Sequence, residues 1–248
     1  KFLGQLAAAV ILVAFGTRID FVTNPLGGMI YVGWWGIPLT ILWIVALTNS
    51  LNFIDGLDGL AAGIAAIACI PLLVIAQQRD ATAVVLLTAC LLGASLGFLP
   101  FNFNPARVFM GDTGAMFLGY MLAAIAVEGA LKGATAIALS IPLLTLGLPV
   151  FDTACAVIRR GRHGRPIYQA DAGHVHHRLL QLGLSHRQAV LVLYGVSGLL
   201  GAGALVLWRV PAGAATVGLI VVGGLLALWA RRLRIFDDQP AFPEGMEG

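Results

Sequence analysis

The chain alternates between long apolar blocks and short polar interruptions. Eight apolar segments stand out, at about 3–20, 36–50, 59–77, 81–99, 114–130, 133–151, 187–208 and 212–230. Each comes near the roughly 20 residues that a helix needs to cross a bilayer. The weak ten-residue alternation of an outer-membrane barrel is not the pattern here, so the backbone must satisfy its polar groups inside helices. The interruptions are polar or helix-breaking: Asn24-Pro25, Thr48 to Asp58, Arg79-Asp80, Phe101 to Asp112, Gly129 to Gly133, and Arg159 to Arg187. This pattern predicts an all-α, polytopic membrane bundle of about eight transmembrane helices over residues 1–236. The acidic, Pro- and Gly-containing stretch 237–248 is expected to be a disordered tail.

Composition narrows the class further. Of 248 residues, 59% are hydrophobic and only 11% charged, against about 25% charged in an average soluble domain. A water-soluble globule, a disordered chain and a small disulfide scaffold are excluded together. The 31 glycines suit closely packed membrane helices. Cys69, Cys90 and Cys155 all lie in apolar segments and imply no disulfide framework. A net charge of +3 is too small to imply a nucleic-acid partner.

The placement of that charge is informative. With eight spans, the loops at about 48–58, 101–113 and 152–187 emerge on one side, together with both chain ends. That side carries Lys1, Arg107, Arg159, Arg160, Arg162, Arg165, Arg178, Arg187, Arg231, Arg232 and Arg234, against Arg18, Arg79, Lys132 and Arg209 on the other. The excess of basic residues marks the first side as cytoplasmic. All five His fall in the third loop on this same side.

Each loop carries candidate chemistry. In the first, Asn52, Asp55 and Asp58 follow one another at intervals of three and would share a face on a helical turn. Two carboxylates and an amide oxygen are hard donors suited to Mg²⁺. Gly56, Gly59 and Gly63 would admit a phosphate or sugar to the backbone, or let helices approach closely. The bland alternative is an interfacial turn with capping Asn and Asp.

In the second loop, Gly111-Asp112-Thr113-Gly114 opens an apolar helix and sets a carboxylate beside free N–H groups, where phosphate and its metal can be held. Phe109 is either a stacking platform for a flat base or a lipid-interface anchor. Arg107 either binds phosphate or serves topology. In the third loop, Asp171 precedes His174, His176, His177 and Arg178. Without a Cys or an i, i+4 His pair, zinc is not the expected occupant. Clustered His and Arg fit a phosphate-handling loop, or else a basic loop lying on anionic headgroups. His163 and His186 flank the cluster and are expected to be solvated. The three loops together suit metal-assisted phosphoryl transfer between a soluble phosphate compound and a membrane-held one.

Asn49 to Gly63, Asn102 to Gly119 and Asp171 to Leu180 resemble the signature segments of the polyprenyl-phosphate N-acetylhexosamine-1-phosphate transferases, the MraY-like glycosyltransferase family 4. The stretch His174-Val-His-His-Arg-Leu-Leu is similar to the WecA/TagO branch. The resemblance runs from Lys1-Phe-Leu-Gly-Gln5 to about Arg232. It implies a UDP-N-acetylhexosamine donor, foremost UDP-GlcNAc, and undecaprenyl phosphate as acceptor in a bacterial inner membrane. The products would be UMP and a lipid-linked sugar that starts an O-antigen, teichoic acid or other envelope glycan.

By the same resemblance, Asp112 is a Mg²⁺ (or Mn²⁺) ligand and Asn52 a second one. Asp55 and Asp58 serve catalysis or nucleotide binding. Asn49, Asn102, Phe109 and Gly111 lie at substrate-contacting positions. His174, His176 and His177 organise the phosphates with help from Arg178. A homodimer is compatible with the family. Ala115 departs from the family's frequent Ser, and the adjacent Asp-Asp pair expected shortly before Lys1 is not in this sequence. The chain is therefore expected to be the carboxyl-terminal part of a longer transferase that has about three more helices. A secondary transporter for an anionic metabolite, with polar loops as gates, is the competing expectation.

Overall fold

The computed structural model describes residues 1–24, 29–131, 140–162, 173–233 and 235. The tail 237–248, together with His163, Arg165 and Asp171, lies outside the described residues. The order is α1 (Phe2–Ala14), a ribbon of β1 (Phe21–Thr23) and β2 (Met29–Tyr31), α2 (Gly36–Ile54), α3 (Leu60–Gln78), α4 (Thr82–Asn102) and α5 (Gly111–Leu131). After these come α6 (Ser140–Thr145), α7 (Gly147–Arg162), α8 (Val175–Gln181), α9 (His186–Leu207) and α10 (Ala212–Arg232). Among the described residues, five helices are long and apolar enough to cross a membrane: Gly33–Ile54, Leu60–Gln78, Thr82–Asn102, His186–Leu207 and Gly213–Arg232. The protein is an all-α, polytopic membrane protein, and the small β-ribbon is its one departure among the described residues.

Of the three expected spans not among these five, 114–130 is the single helix α5 and the other two are broken. The segment 3–20 is not one helix: α1 stops at Ala14, where Gly16 takes φ +98° and closes the end. The Thr17 N–H reaches the Leu12 carbonyl (3.3 Å) and the Gly16 N–H reaches that of Val13 (3.0 Å). This left-handed cap needs a residue without Cβ. The chain then enters the ribbon, with Phe21 opposite Tyr31 and Thr23 opposite Met29. The segment 133–151 is likewise interrupted, with α6 ending at Thr145 and α7 beginning at Gly147. Pro149 has no N–H to give the Thr145 carbonyl, which weakens a continuous helix there. Helix α7 runs on to Arg162, so residues 152–162, expected in a loop, are helical.

Helix α3 is the hub. Its candidate span is 72% buried, whereas that of α10 is 11% buried and faces outward. The sequence explains this, because α3 is rich in Ala and carries Gly63, which lets α4, α5 and α9 approach closely. Gly63 sits where α9 crosses, and a Cβ there would overlap the Tyr194 ring. The Tyr194 hydroxyl in turn donates to the Gly59 carbonyl at 2.5 Å. Gly119 on α5 similarly lets the α2 backbone come close at Leu47 and Thr48. Helix α9 starts in a reciprocal cap: Ser185 Oγ accepts from the Gln188 N–H, and Gln188 Oε1 accepts from the Ser185 N–H.

Candidate active site

The α2–α3 connection is five residues, Asp55 to Gly59, and is not helical. Asp55 caps α2, and Gly59 turns the chain into α3 at φ +82°. The turn is thus not the expected helical one, although Asn52, Asp55 and Asp58 still line one cleft. The Asp58 carboxylate points to the α4–α5 loop, where its Oδ2 accepts from Asn104 Nδ2 (3.0 Å) and the Ala106 N–H (3.1 Å). Asn102 is buried and bonded through both its oxygen and its nitrogen. It accepts from the Gly59 N–H at 3.1 Å and donates to the Val108 carbonyl at 2.9 Å. Asp58 and Asn102 thus sew two polar connections together.

This stitching makes one cleft of about 330 Å³, lined by Asn52, Asp55, Asp58, Asn102, Phe109 and Asp112, with Gly111 at the mouth of α5. Asp112 stands in the first turn of α5, where the helix dipole favours negative charge. Its Oδ1 accepts from Asn52 Nδ2 at 2.9 Å, and it forms an ion pair with the Lys1 ammonium. Phe109 is three-quarters exposed on the cleft wall. Asn49 lies deeper between helices, donating to Gln5 Oε1 at 2.8 Å and to the Val45 carbonyl. Burial, and then the nearby charges of Asp112 and Asp58, push the Asp55 carboxyl up to about 6.

The His segment packs beneath this cleft. His174 lies 5.7 Å from the Phe53 ring, and His176 stacks parallel to His174 at 5.8 Å. His176 touches Gly56 so closely that a Cβ there would overlap its ring. His177 follows at 4.2 Å from His176, and Arg178 donates to Gln181 at 3.3 Å. Burial and the adjacent His177 push His176 down to about 3, so it is neutral at physiological pH. All three glycines of the first loop are thus filled by protein side chains: His176 at Gly56, Phe103 at Gly59 and Tyr194 at Gly63. Close packing therefore accounts for all three glycines.

Several residues outside the sequence motifs also hold this site together. His186, expected to be solvated, accepts from the Asp58 N–H at 2.8 Å through Nε2, which leaves its proton on Nδ1. Arg187 donates to the Asn104 carbonyl at 2.9 Å, so the start of α9 holds the same loop as Asp58. Lys1 and Gln5 place α1 against Asp112 and Asn49. Asp152 of α7 is buried and binds His174. A lone carboxylate in the apolar run from Leu146 to Val157 was a legible signal, since ionisable groups in such segments are rarely idle.

The donor chemistry fits a hard divalent cation in part. Among the described residues, no group of three or more His, Cys, Asp or Glu converges to cage a metal alone. Asp55, Asp112 and the Asn52 amide offer the small set of oxygens that Mg²⁺ uses when substrate phosphates and waters complete its shell. The cationic Lys1 ammonium on Asp112 shows that this edge of the cleft already favours positive charge.

Comparison with known proteins agrees with this architecture. The family model described as glycosyl transferase family 4 matches residues 1–130. A probable undecaprenyl-phosphate N-acetylglucosaminyl 1-phosphate transferase of Bacillus subtilis is 44% identical, over 84% of this chain and 58% of its own length. A decaprenyl-phosphate N-acetylglucosaminephosphotransferase of Mycobacterium tuberculosis is 38% identical, over 92% of this chain and 63% of its own. A phospho-N-acetylmuramoyl-pentapeptide-transferase of Listeria welshimeri is 32% identical, over 82% and 62% respectively. The chain therefore spans about three-fifths of the length of these relatives. Of these three, the two N-acetylglucosamine-phosphate enzymes have the higher identities and cover more of this chain, and theirs is the branch to which the His174-Val-His-His motif also points. A family match covering more than half of the chain, and motif loops gathered on one face of the helical bundle, lead to one assignment: this protein belongs to glycosyl transferase family 4, in its WecA/TagO-like branch.

Proposed function

We propose that the protein transfers N-acetylglucosamine 1-phosphate from UDP-GlcNAc to undecaprenyl phosphate at the cytoplasmic face of a bacterial inner membrane, releasing UMP. The observation that carries this reading is the cleft itself. Asn52, Asp55 and Asp112 line it together at the ends of helices, and the His segment touches its wall where His176 packs on Gly56. A membrane-held phosphate and a soluble pyrophosphate can both reach such a place. The basic excess on the side of these loops supports the cytoplasmic orientation.

In this proposal Asn52 and Asp112, with Asp55 beside them, hold Mg²⁺. When bound, the ion offsets the charge that would repel two anionic phosphates and stabilises the departing UMP. Phe109 offers its exposed face to the uracil, and Gly111 leaves room beside the α5 N-terminus, where no side chain crowds it. His174 and His177, with Arg178, hold phosphate oxygens. Asp58 and Asn102 keep the cleft walls at their spacing, and Asn49 holds α1 in place through Gln5. The polar groups lie at helix ends on one face, which favours a transferase over a carrier with a site halfway across the bilayer.

The test uses the natural full-length protein in membranes with Mg²⁺, undecaprenyl phosphate and labelled UDP-GlcNAc. It should yield a labelled lipid and UMP. Asp112→Asn should lower the rate at least about 100-fold while insertion is unchanged. Counterflow of intact nucleotide sugar without chemical conversion would overturn the proposal.

A further inference from the structure

Helix α7 grips the segment leading into α8 at two points on one face. Asp152 and Arg159 are seven residues apart, two helical turns, and both are buried. Arg159 donates to the Gly173 carbonyl at 3.1 Å and to that of Ile235 at 2.6 Å. Gly173 has no room for a Cβ beside the guanidinium. Asp152 uses both carboxylate oxygens: Oδ1 accepts from the Val175 N–H at 2.9 Å, and Oδ2 lies 2.7 Å from His174 Nδ1. An ionised carboxylate can only accept, so the proton between them belongs to Nδ1 of His174. The ring's remaining polar atom is then Nε2, with its lone pair free.

The same contact orders the neighbourhood. His174 is the N-cap of α8 with an extended backbone, but its own side chain does not cap the helix. Asp152 supplies that cap from α7 by satisfying the Val175 N–H, one of the groups that a helix start leaves unpaired. Position, ring orientation and tautomer of His174 are thus set by one buried side chain. His176 stacks on the His174 ring and, among the described residues, has no hydrogen-bond partner at either nitrogen. His174 is the ring whose polarity is organised from behind.

We propose that Asp152 is a positioning residue for the transfer reaction, acting through His174: it holds the imidazole as the Nδ1–H tautomer and so presents Nε2 to phosphate oxygen or to its proton. This rests on the transferase reading above. A carboxylate behind a working imidazole recurs where histidine must keep one tautomer and one direction. Asn at 152 keeps the shape and an acceptor for Val175, but offers an amide N–H to Nδ1 and reverses the tautomer.

The experiment is a double-mutant cycle in the natural full-length protein, assayed with labelled UDP-GlcNAc and undecaprenyl phosphate. Asp152→Asn should lower kcat at least about tenfold, with KM for the nucleotide sugar and the melting temperature close to wild type. In a His174→Ala background the same substitution should change kcat less than about threefold, because the residue it acts through is gone. Equal losses in both backgrounds, or full activity in Asp152→Asn, would overturn the inference. His174→Gln covers the case in which Asp152→Asn does not fold, since its amide still donates to Asp152 and keeps α8 tied to α7. It should lose activity as Asp152→Asn is expected to, and a fully active His174→Gln would also overturn the inference. A wild-type protein that makes no lipid-linked sugar sinks the transferase reading and this one together. Activity that ignores position 152 sinks this one alone.

Discussion

Asp55 and Asp58 stand three residues apart, with opposite surroundings. Asp58 spends its carboxylate on Asn104 and Ala106 and its N–H on His186. Asp58→Ala leaves those donors unmet and should cost about 1–3 kcal/mol of stability. It would register as a lower melting temperature and faster proteolysis at 103–110. Asp55 is instead held near other carboxylates, and its pKa is raised from 3.8 to about 6. A carboxyl raised in the folded state binds its proton more tightly there than in the unfolded chain. Its stabilising contribution is therefore present below about pH 3.8 and is lost as pH rises through about 6. Melting of the metal-free protein between pH 4 and 7 checks this, and Asp55→Asn should flatten that part of the profile. Added Mg²⁺ should raise the wild-type melting temperature more at pH 7 than at pH 5, and less in Asp112→Asn. The carboxylates were legible in the sequence as a group. That both line the cleft while Asp58 also clamps a loop was not, because a three-residue spacing fixes relative directions only if the turn is helical. Here α2 ends at Ile54, and Asp55 at ψ +44° has already left the helical geometry.

Among the elements, α3 and α7 carry the arrangement by different means. Helix α3 does so by small residues, and its meeting with α9 at Gly63 and Tyr194 admits no methyl group. Gly63→Ala should therefore destabilise the protein by about 1–3 kcal/mol through overpacking, and Tyr194→Ala should restore part of that loss in a thermal-melting cycle. Helix α7 works by amphipathicity, with Asp152, Cys155, Ala156 and Arg159 on its buried face. The apolar periodicity placed α2, α3, α4, α9 and α10 within a few residues of their observed bounds. It failed at α1 and at α6–α7. At α6–α7 the side chains stay apolar past the break, and hydropathy cannot register a proline that withholds one N–H; at α1 the expected span ran past Gly16 into Thr17, Arg18 and Asp20, whose polarity marks the end of the apolar block.

For the whole molecule, the consequence is that polar connections distant in sequence share one face. Gly56 meets His176, Asp58 meets Asn104 and His186, and Lys1 meets Asp112. In a protein cleared of its native cysteines, Arg107→Cys and Leu182→Cys should label with an impermeant thiol reagent from the cytoplasmic side. Arg209→Cys should label from the other side only, and labelling of all three from one side contradicts the topology. The chain's own pattern of apolar blocks sufficed to place it among helical membrane proteins. Its loop motifs sufficed for the family, because hydrophobic length and residue identity are properties of a linear string. Only the tertiary structure could decide that Asp152 lies behind His174, that the first loop's glycines are filled by His176, Phe103 and Tyr194, and that Asp58 braces the cleft. Those facts depend on which helices cross and at what distance. In a bundle whose helices are nearly all apolar, many registers bury similar area, and small residues and single buried hydrogen bonds select among them.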